Sequence, residues 1–176
     1  GKKEIKKRKD EGSVKERFID AITCKGWVHR YDTIAALADK IYLIDTTMGL
    51  NYLFTETLAN IAIDNNWEVI LCRDALYPEK ISHIIFPQAS LAIVSRYGKA
   101  FPDWNARTIR LDSIPSTSSV KAHRDCIRSR RKIWDELLND GMGHLQKAKA
   151  YHDELEMLYR PYADFTLADS LLEKHI

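Results

Sequence analysis

The residues best placed to do chemistry are Asp45, Thr46, Thr47, Met48, Gly49, Leu50 and Asn51. They follow a short apolar run, Ile41-Tyr42-Leu43-Ile44, and open a stretch of helical spacing through Leu53, Phe54, Leu58, Ile61 and Ala62. A loop between a buried strand and a helix aims backbone N–H groups at an anion, and the helix dipole adds to the attraction. The form that holds a nucleoside triphosphate is G-x-x-x-x-G-K-[ST]. Here Gly49 is the one glycine in the loop. With Gly49 in the second glycine place, Leu50 stands for the lysine and Asn51 for the hydroxyl. Moved one residue on, Asn51 stands for the lysine and Tyr52 for the hydroxyl. Neither register brings a cation to the β- and γ-phosphates or a small hydroxyl to Mg²⁺. Phosphoryl transfer then lacks its main protein counter-ion. The context of a phosphate site is present without its chemistry, and no catalytic residue is assigned.

Other candidates are weaker. Asp74 and Asp112 close apolar runs and could hold a metal, though acidic turns are commonly just solvated. Arg96, Lys99 and Trp104 fall in the longest irregular stretch, 96–106, where a ligand contact could sit. His152, Asp153 and Glu156 fall within about one helical turn, with His152 and Glu156 on one face. They could ligate a metal, or His152 could be a polar break in an apolar seam, hydrogen-bonded to a neighbouring layer. A third ligand is not identified, so no metal is assigned. His83, His123 and His144 lack partners at motif spacing. Cys24, Cys72 and Cys126 form no C-x-x-C pair. Buried thiols in a reducing cytoplasm fit that usage, and zinc does not.

The elements that must carry these residues follow from periodicity. Ser13 and Glu16 read as a capping box for a short helix through Ala21 and Ile22, closed by a turn at Gly26. Asp32 or Thr33 caps a second helix over 33–39. Residues 41–44 and 67–72 read as strands joined by the helix that follows Gly49, which Asn65-Asn66 stop. That is one βαβ unit, with residues 41–44 as the central strand of a mostly parallel sheet. Further strands are expected at 81–86, 91–95 and 108–111. From 118 to 160 the spacing is helical, with a seam through Trp134, Leu138, Leu145 and Leu155 that needs cover. Gly141 and Gly143 cost together about 2 kcal/mol in a helix interior, so a kink or break is expected between them. Pro161 ends this piece, and Asp164 or Thr166 caps a last short helix through Leu172.

The chain of 176 residues is one domain's length, and its 45% hydrophobic and 30% charged residues exclude disordered, collagenous and disulfide-framework classes. No apolar run suits a membrane span. Residues 1–17 hold eight basic and four acidic residues, a net +4, which leaves −2 for the rest of a chain whose total is +2. Gly1 in place of methionine reads as a scar, with 1–12 a basic linker or tag remnant and 13–176 one α/β domain whose 118–176 part is helical. The basic lead has no interleaved aromatics, which argues against nucleic acid. Arg128, Arg130, Arg131 and Lys132 precede Asp135 and Glu136, a pattern of helix-face ion pairs.

Four stretches together resemble a family of bacterial, firmicute-type ATPases that carry two P-loop-like halves in tandem. They are Arg17-Phe18-Ile19-Asp20-Ala21-Ile22-Thr23-Cys24-Lys25-Gly26, residues 41–62, Leu76-Tyr77-Pro78-Glu79-Lys80-Ile81-Ser82-His83-Ile84-Ile85-Phe86-Pro87, and residues 148–156 with Tyr159 and Asp164-Phe165. The chain is similar to the C-terminal half from about residue 16 onward. Cys24 stands where the family has proline. The resemblance implies a P-loop NTPase-like three-layer core with long C-terminal helices, an ATP- and Mg²⁺-binding ancestor, and a partner that is the N-terminal half of the same full-length protein or a second copy. Three readings follow: a degenerate half that regulates or scaffolds, with weak or no ATP hydrolysis of its own; a nucleotide-binding enzyme completed by a partner chain; or a helix-mediated interaction module.

Overall fold

The computed structural model describes residues 12–46, 49–97, 101, 102, 104, 106–111, 117–163, 166 and 172. Strands β1 (Val14–Phe18), β2 (Asp20–Thr23) and β3 (Gly26–His29) come first, then helix α1 (Tyr31–Leu37). Strand β4 (Lys40–Asp45), helix α2 (Leu50–Asp64) and strands β5 (Val69–Arg73), β6 (Ile81–Phe86), β7 (Leu91–Arg96) and β8 (Arg107–Ile109) follow. Helix α3 (Thr117–Tyr159) closes the series, with a 3₁₀ turn over Arg160–Tyr162. The main sheet has the order β1-β5-β6-β7-β4-β8, and β2 and β3 form a separate hairpin. Only β6 runs against the rest, antiparallel to both β5 and β7. The sheet is thus mostly parallel. β4 is internal but lies one place from the edge, between β7 and β8, rather than at the centre.

Side chains of successive strand residues alternate between two cores. One face, under α2, gathers Ile44, Leu71, Ile84 and Ile93 with Ala59 and Ala62. The other, under α1, gathers Leu43, Cys72, Ile85 and Val94 with Ile34 and Ala38. Helix, sheet and helix make three layers. Strands buried on both faces read as continuous apolar runs, which is why β4, β6 and β7 are legible in the sequence.

The start of the chain departs from expectation. The short helix expected after Ser13 is instead β1 and β2. Val14 to Phe18 pair in parallel with Val69 to Arg73. Glu16 takes the Arg73 guanidinium rather than a backbone amide at a helix start. A capping pattern is a local preference of about 1 kcal/mol, and ladder pairing with β5 outweighs it. Gly26 makes the tight β2–β3 turn at φ 100°, a conformation that favours glycine. Arg30 rather than Asp32 or Thr33 occupies the N-cap of α1. A Cβ on Gly12 would lie 2.6 Å from the Asn66 carbonyl carbon and 2.6 Å from the Trp67 oxygen. Because both are backbone atoms, Gly12→Ala is expected to cost about 1–3 kcal/mol, checked by urea unfolding; an unchanged midpoint would contradict this packing.

The long helix also departs from expectation. α3 runs through Gly141 and Gly143 without a break. Glycine weakens a helix through backbone entropy and does not bar it sterically, so a 43-residue helix absorbs two. Trp134 sits 5.9 Å from Trp27 of the hairpin, and Leu138 and Met142 are half-buried beside it. From 144 to 162 every residue is exposed, so the seam expected to be covered is bare over this part. Most of the expected last helix lies outside the described residues, as do residues 1–11. No described helix is long and apolar enough to cross a membrane.

Candidate functional site

In open α/β sheets, ligands gather outside the carboxyl ends of the parallel strands. The ends of β4, β7 and β8 and the start of α2 lie at this edge. The loop expected as the anion site is partly visible there. Asp45 ends β4, while Thr47 and Met48 lie outside the described residues. The Thr46 hydroxyl donates to the Arg96 carbonyl at 2.9 Å. Gly49 caps α2 in the left-handed conformation, φ 68°, and its N–H donates to the Thr46 carbonyl at 3.1 Å. Leu50 packs into the core under α2.

Asn51 turns inward. It is 1% exposed, and its amide donates to the Ser95 hydroxyl at 3.2 Å and lies 3.5 Å from the Tyr97 hydroxyl. Its Oδ1 is buried with no hydrogen-bond partner among the described residues. Tyr52, the other claimant to the hydroxyl slot, donates to Asp74 Oδ2 at 2.9 Å. The first turn of α2, Leu50-Asn51-Tyr52-Leu53, carries no cation. These residues do not fit MgATP. The lysine slot is filled by an apolar or an inward-turned side chain, and the tyrosine ring replaces the small hydroxyl.

Beneath the loop lies a buried polar network that spacing did not reveal. Asp20, the first residue of β2, places Oδ1 2.7 Å from His29 Nδ1 and Oδ2 2.8 Å from His83 Nε2. The Ser95 backbone N–H donates to His83 Nδ1 at 3.0 Å. His83 Nδ1 is therefore an acceptor, so Nε2 carries the proton and donates to Asp20. Burial alone would raise the Asp20 pKa, but the hydrogen bonds and charges of His29 and His83 outweigh it and hold the carboxyl at about 2. Asp74, just after β5, accepts from Tyr52, Tyr97 and the N–H groups of Leu76 and Tyr77, all within 3.0 Å. Burial, with the Asp74 charge, pushes Tyr97 far above the ordinary phenol range and Tyr52 up to about 12. Burial likewise pushes the Cys72 thiol up to about 12, which keeps it a neutral core group.

Asp20, His83 and Ser95 include the residue types of a nucleophilic triad, but the geometry is wrong for one. His83 receives the Ser95 backbone N–H, not its hydroxyl. The hydroxyl donates instead to the Ser82 carbonyl at 2.6 Å. A triad needs the imidazole to take the hydroxyl proton. His83 and Ser95 are also fully buried. The network ties β2, β3, β6 and β7 together, and its chemistry is structural.

The remaining candidates resolve as follows. Asp74 is 2% exposed with both oxygens filled by donors, so the solvated turn expected there is replaced by a buried acceptor, and the metal alternative finds no free oxygen. Asp112 and Lys99 lie outside the described residues. Arg96 is exposed, while Trp104 packs 5.6 Å from Tyr31 and 5.0 Å from Phe101, inside the core rather than toward a ligand. His152, Asp153 and Glu156 bring their ligating atoms within 4.8 Å of one another. His152 and Asp153 are exposed on the bare part of α3, and Asp153 pairs with Lys149. Among the described residues no neighbouring layer holds His152, whose side chain is exposed where a hydrogen-bonded break was expected. Cys72 is buried as expected, but Cys126 is exposed. The expected helix-face ion pairing appears as Lys132–Glu136 at 3.8 Å.

Two sequence signals pointed faintly at the network. Ser82-His83 interrupts an apolar strand, and Ser95 ends another. Asp20 gave none, because its run fits a capped helix as well as a strand. The fold defines a three-layer α/β domain with a mostly parallel sheet. No family model, curated protein or solved structure matches the chain.

Proposed function

We propose that this chain is a degenerate P-loop NTPase-like domain, the regulatory or scaffolding half of a nucleotide-binding ATPase, without ATP hydrolysis of its own. The observation that carries the reading is the fate of Asn51. The strand-loop-helix setting of a phosphate site is kept at the carboxyl edge of the sheet. The residue in the place of the lysine, or of the hydroxyl, is drawn into the core and bonded to Ser95. A side chain so held cannot swing out to a phosphate without breaking buried hydrogen bonds, each worth about 1 kcal/mol or more. Its partner under this reading is the N-terminal half of the same full-length protein or a second copy.

Calorimetry with MgATP is expected to give a dissociation constant no tighter than about 0.1 mM, since the charge-assisted phosphate contacts are missing. Phosphate release is expected at the buffer blank. Micromolar binding or steady turnover by this chain alone would overturn the proposal. Turnover only on addition of a partner half would favour the reading of an enzyme completed in trans. The bare apolar length of α3 favours a third role, protein interaction, and is compatible with scaffolding.

A further inference from the structure

The bare end of α3 needs a partner, and the features around it select one. Along α3, positions 127, 130, 134, 137, 141, 144, 148, 151, 155 and 158 alternate three- and four-residue steps, the spacing of a coiled-coil seam. In the overhanging part this seam is apolar and open: Tyr151 is 70% exposed, Leu155 56%, Leu158 71%, and Tyr162 beyond it 89%. In the middle of α3, the same side of the helix borders an apolar groove of about 380 Å³, walled by Leu137, Gly141 and Leu145 opposite Ile22, Leu76 and Tyr77. Apart from the adjoining backbone of α3 itself, no atom of the described residues lies within 4 Å of a Cβ built on Gly141, which leaves room for another backbone.

We propose that a second copy of this chain fills the groove, with the two α3 helices antiparallel and each overhang seated beside the middle of the other. The inference rests on α3 and is independent of the nucleotide reading. Antiparallel layers pair the two alternating seam positions with each other. That sets Trp134 on Tyr151 of the second copy, Leu137 on Ala148 and Gly141 on His144, large against small in the last two layers. Ile127 meets Leu158, apolar on apolar. Arg130 meets Leu155 with Glu154 beside it. Flanking the seam, Asp140 faces Lys147 of the second copy, and the twofold axis repeats the pair.

The wider charge distribution agrees. Arg128, Arg130, Arg131 and Lys132 load the first half of the helix, and Asp153, Glu154 and Glu156 the second. Antiparallel pairing therefore lays the basic half on the acidic half. Parallel pairing would set Arg130 on Arg130, His144 on His144 and Gly141 on Gly141, which combines like charge with an empty layer.

Sedimentation equilibrium of the whole 176-residue chain is expected to return twice 20.3 kDa at micromolar concentration. The pair Leu155→Glu and Leu158→Glu is expected to give a monomer with unchanged circular dichroism, because both side chains are exposed in one copy. Asp140→Lys alone and Lys147→Asp alone are each expected to weaken the dimer at least about tenfold through two like-charge contacts, and the double exchange to restore it. Leu137→Cys with Ala148→Cys, on a background lacking the native cysteines, is expected to cross-link between copies. A monomeric wild type, charge variants that leave association unchanged, or cross-linking by Leu137→Cys alone as in a parallel pair would each overturn the proposal.

Discussion

Asp20→Ala is expected to destabilise the fold by about 3–5 kcal/mol, because two buried hydrogen bonds to a carboxylate, each worth about 1.5–3 kcal/mol, are lost together. Asp20 is 3% exposed and joins the hairpin to the sheet through His29 on β3 and His83 on β6. Without the carboxylate, the His83 Nε2–H faces the core with no acceptor, and burial prevents water from replacing it. Urea unfolding followed by tryptophan fluorescence at neutral pH measures the loss; a change under about 1 kcal/mol would show that the network does not bear on stability. The same group sets an acid limit. Its carboxyl is held at about 2 in the folded chain against an ordinary value of 3.8. A depressed folded pKa means that the stabilisation is fully present above about pH 4 and is lost as pH falls toward 2, in total about 2 kcal/mol. Asp20→Asn is expected to flatten the stability profile across that window while keeping the side-chain shape.

Asp74→Ala is the second large effect, about 2–4 kcal/mol, because four donors lose one acceptor at once. Two are the phenols of Tyr52 and Tyr97 and two are the backbone N–H groups of Leu76 and Tyr77. Tyr52→Phe removes one of the four and leaves the carboxylate satisfied, so it is expected to cost about 1 kcal/mol. Spectrophotometric titration gives an independent check. Burial raises the Tyr52 pKa first and the Asp74 charge adds to it. Removing the charge is expected to bring Tyr52 down from about 12 toward its ordinary value. If Asp74→Ala leaves both the unfolding midpoint and the tyrosine titration unchanged, the carboxylate is not the hub of this end of the sheet.

The network also bears on the proposal that the loop after β4 has lost phosphate binding. Asn51, Ser95, Tyr97 and Asp74 form a continuous polar layer just inside the sheet edge. A lysine at position 51 would enter the core instead of solvent, and a buried, unpaired ammonium is costly. Restoring the phosphate chemistry therefore requires changing the layer as well as the loop.

The sequence by itself determined the elements whose signal is local. β6 was legible to the residue, and β4, β7 and α2 to within about two, because doubly buried strands are apolar at nearly every position and Gly49 and Asn65-Asn66 punctuate the helix. The missing lysine and hydroxyl of the loop were equally plain, since they are facts about residue types. The tertiary structure decided what depends on distant partners. β1 exists because β5 offers it a ladder, and nothing near Val14–Phe18 announces that. The Asp20–His83 contact spans 63 residues, beyond any spacing rule. The inward turn of Asn51 depends on Ser95, 44 residues away. The seam of α3 was visible, but its lack of cover was not. Periodicity shows which side chains share a face, while only the placement of every other described element shows that the residues from 144 to 162 stay exposed.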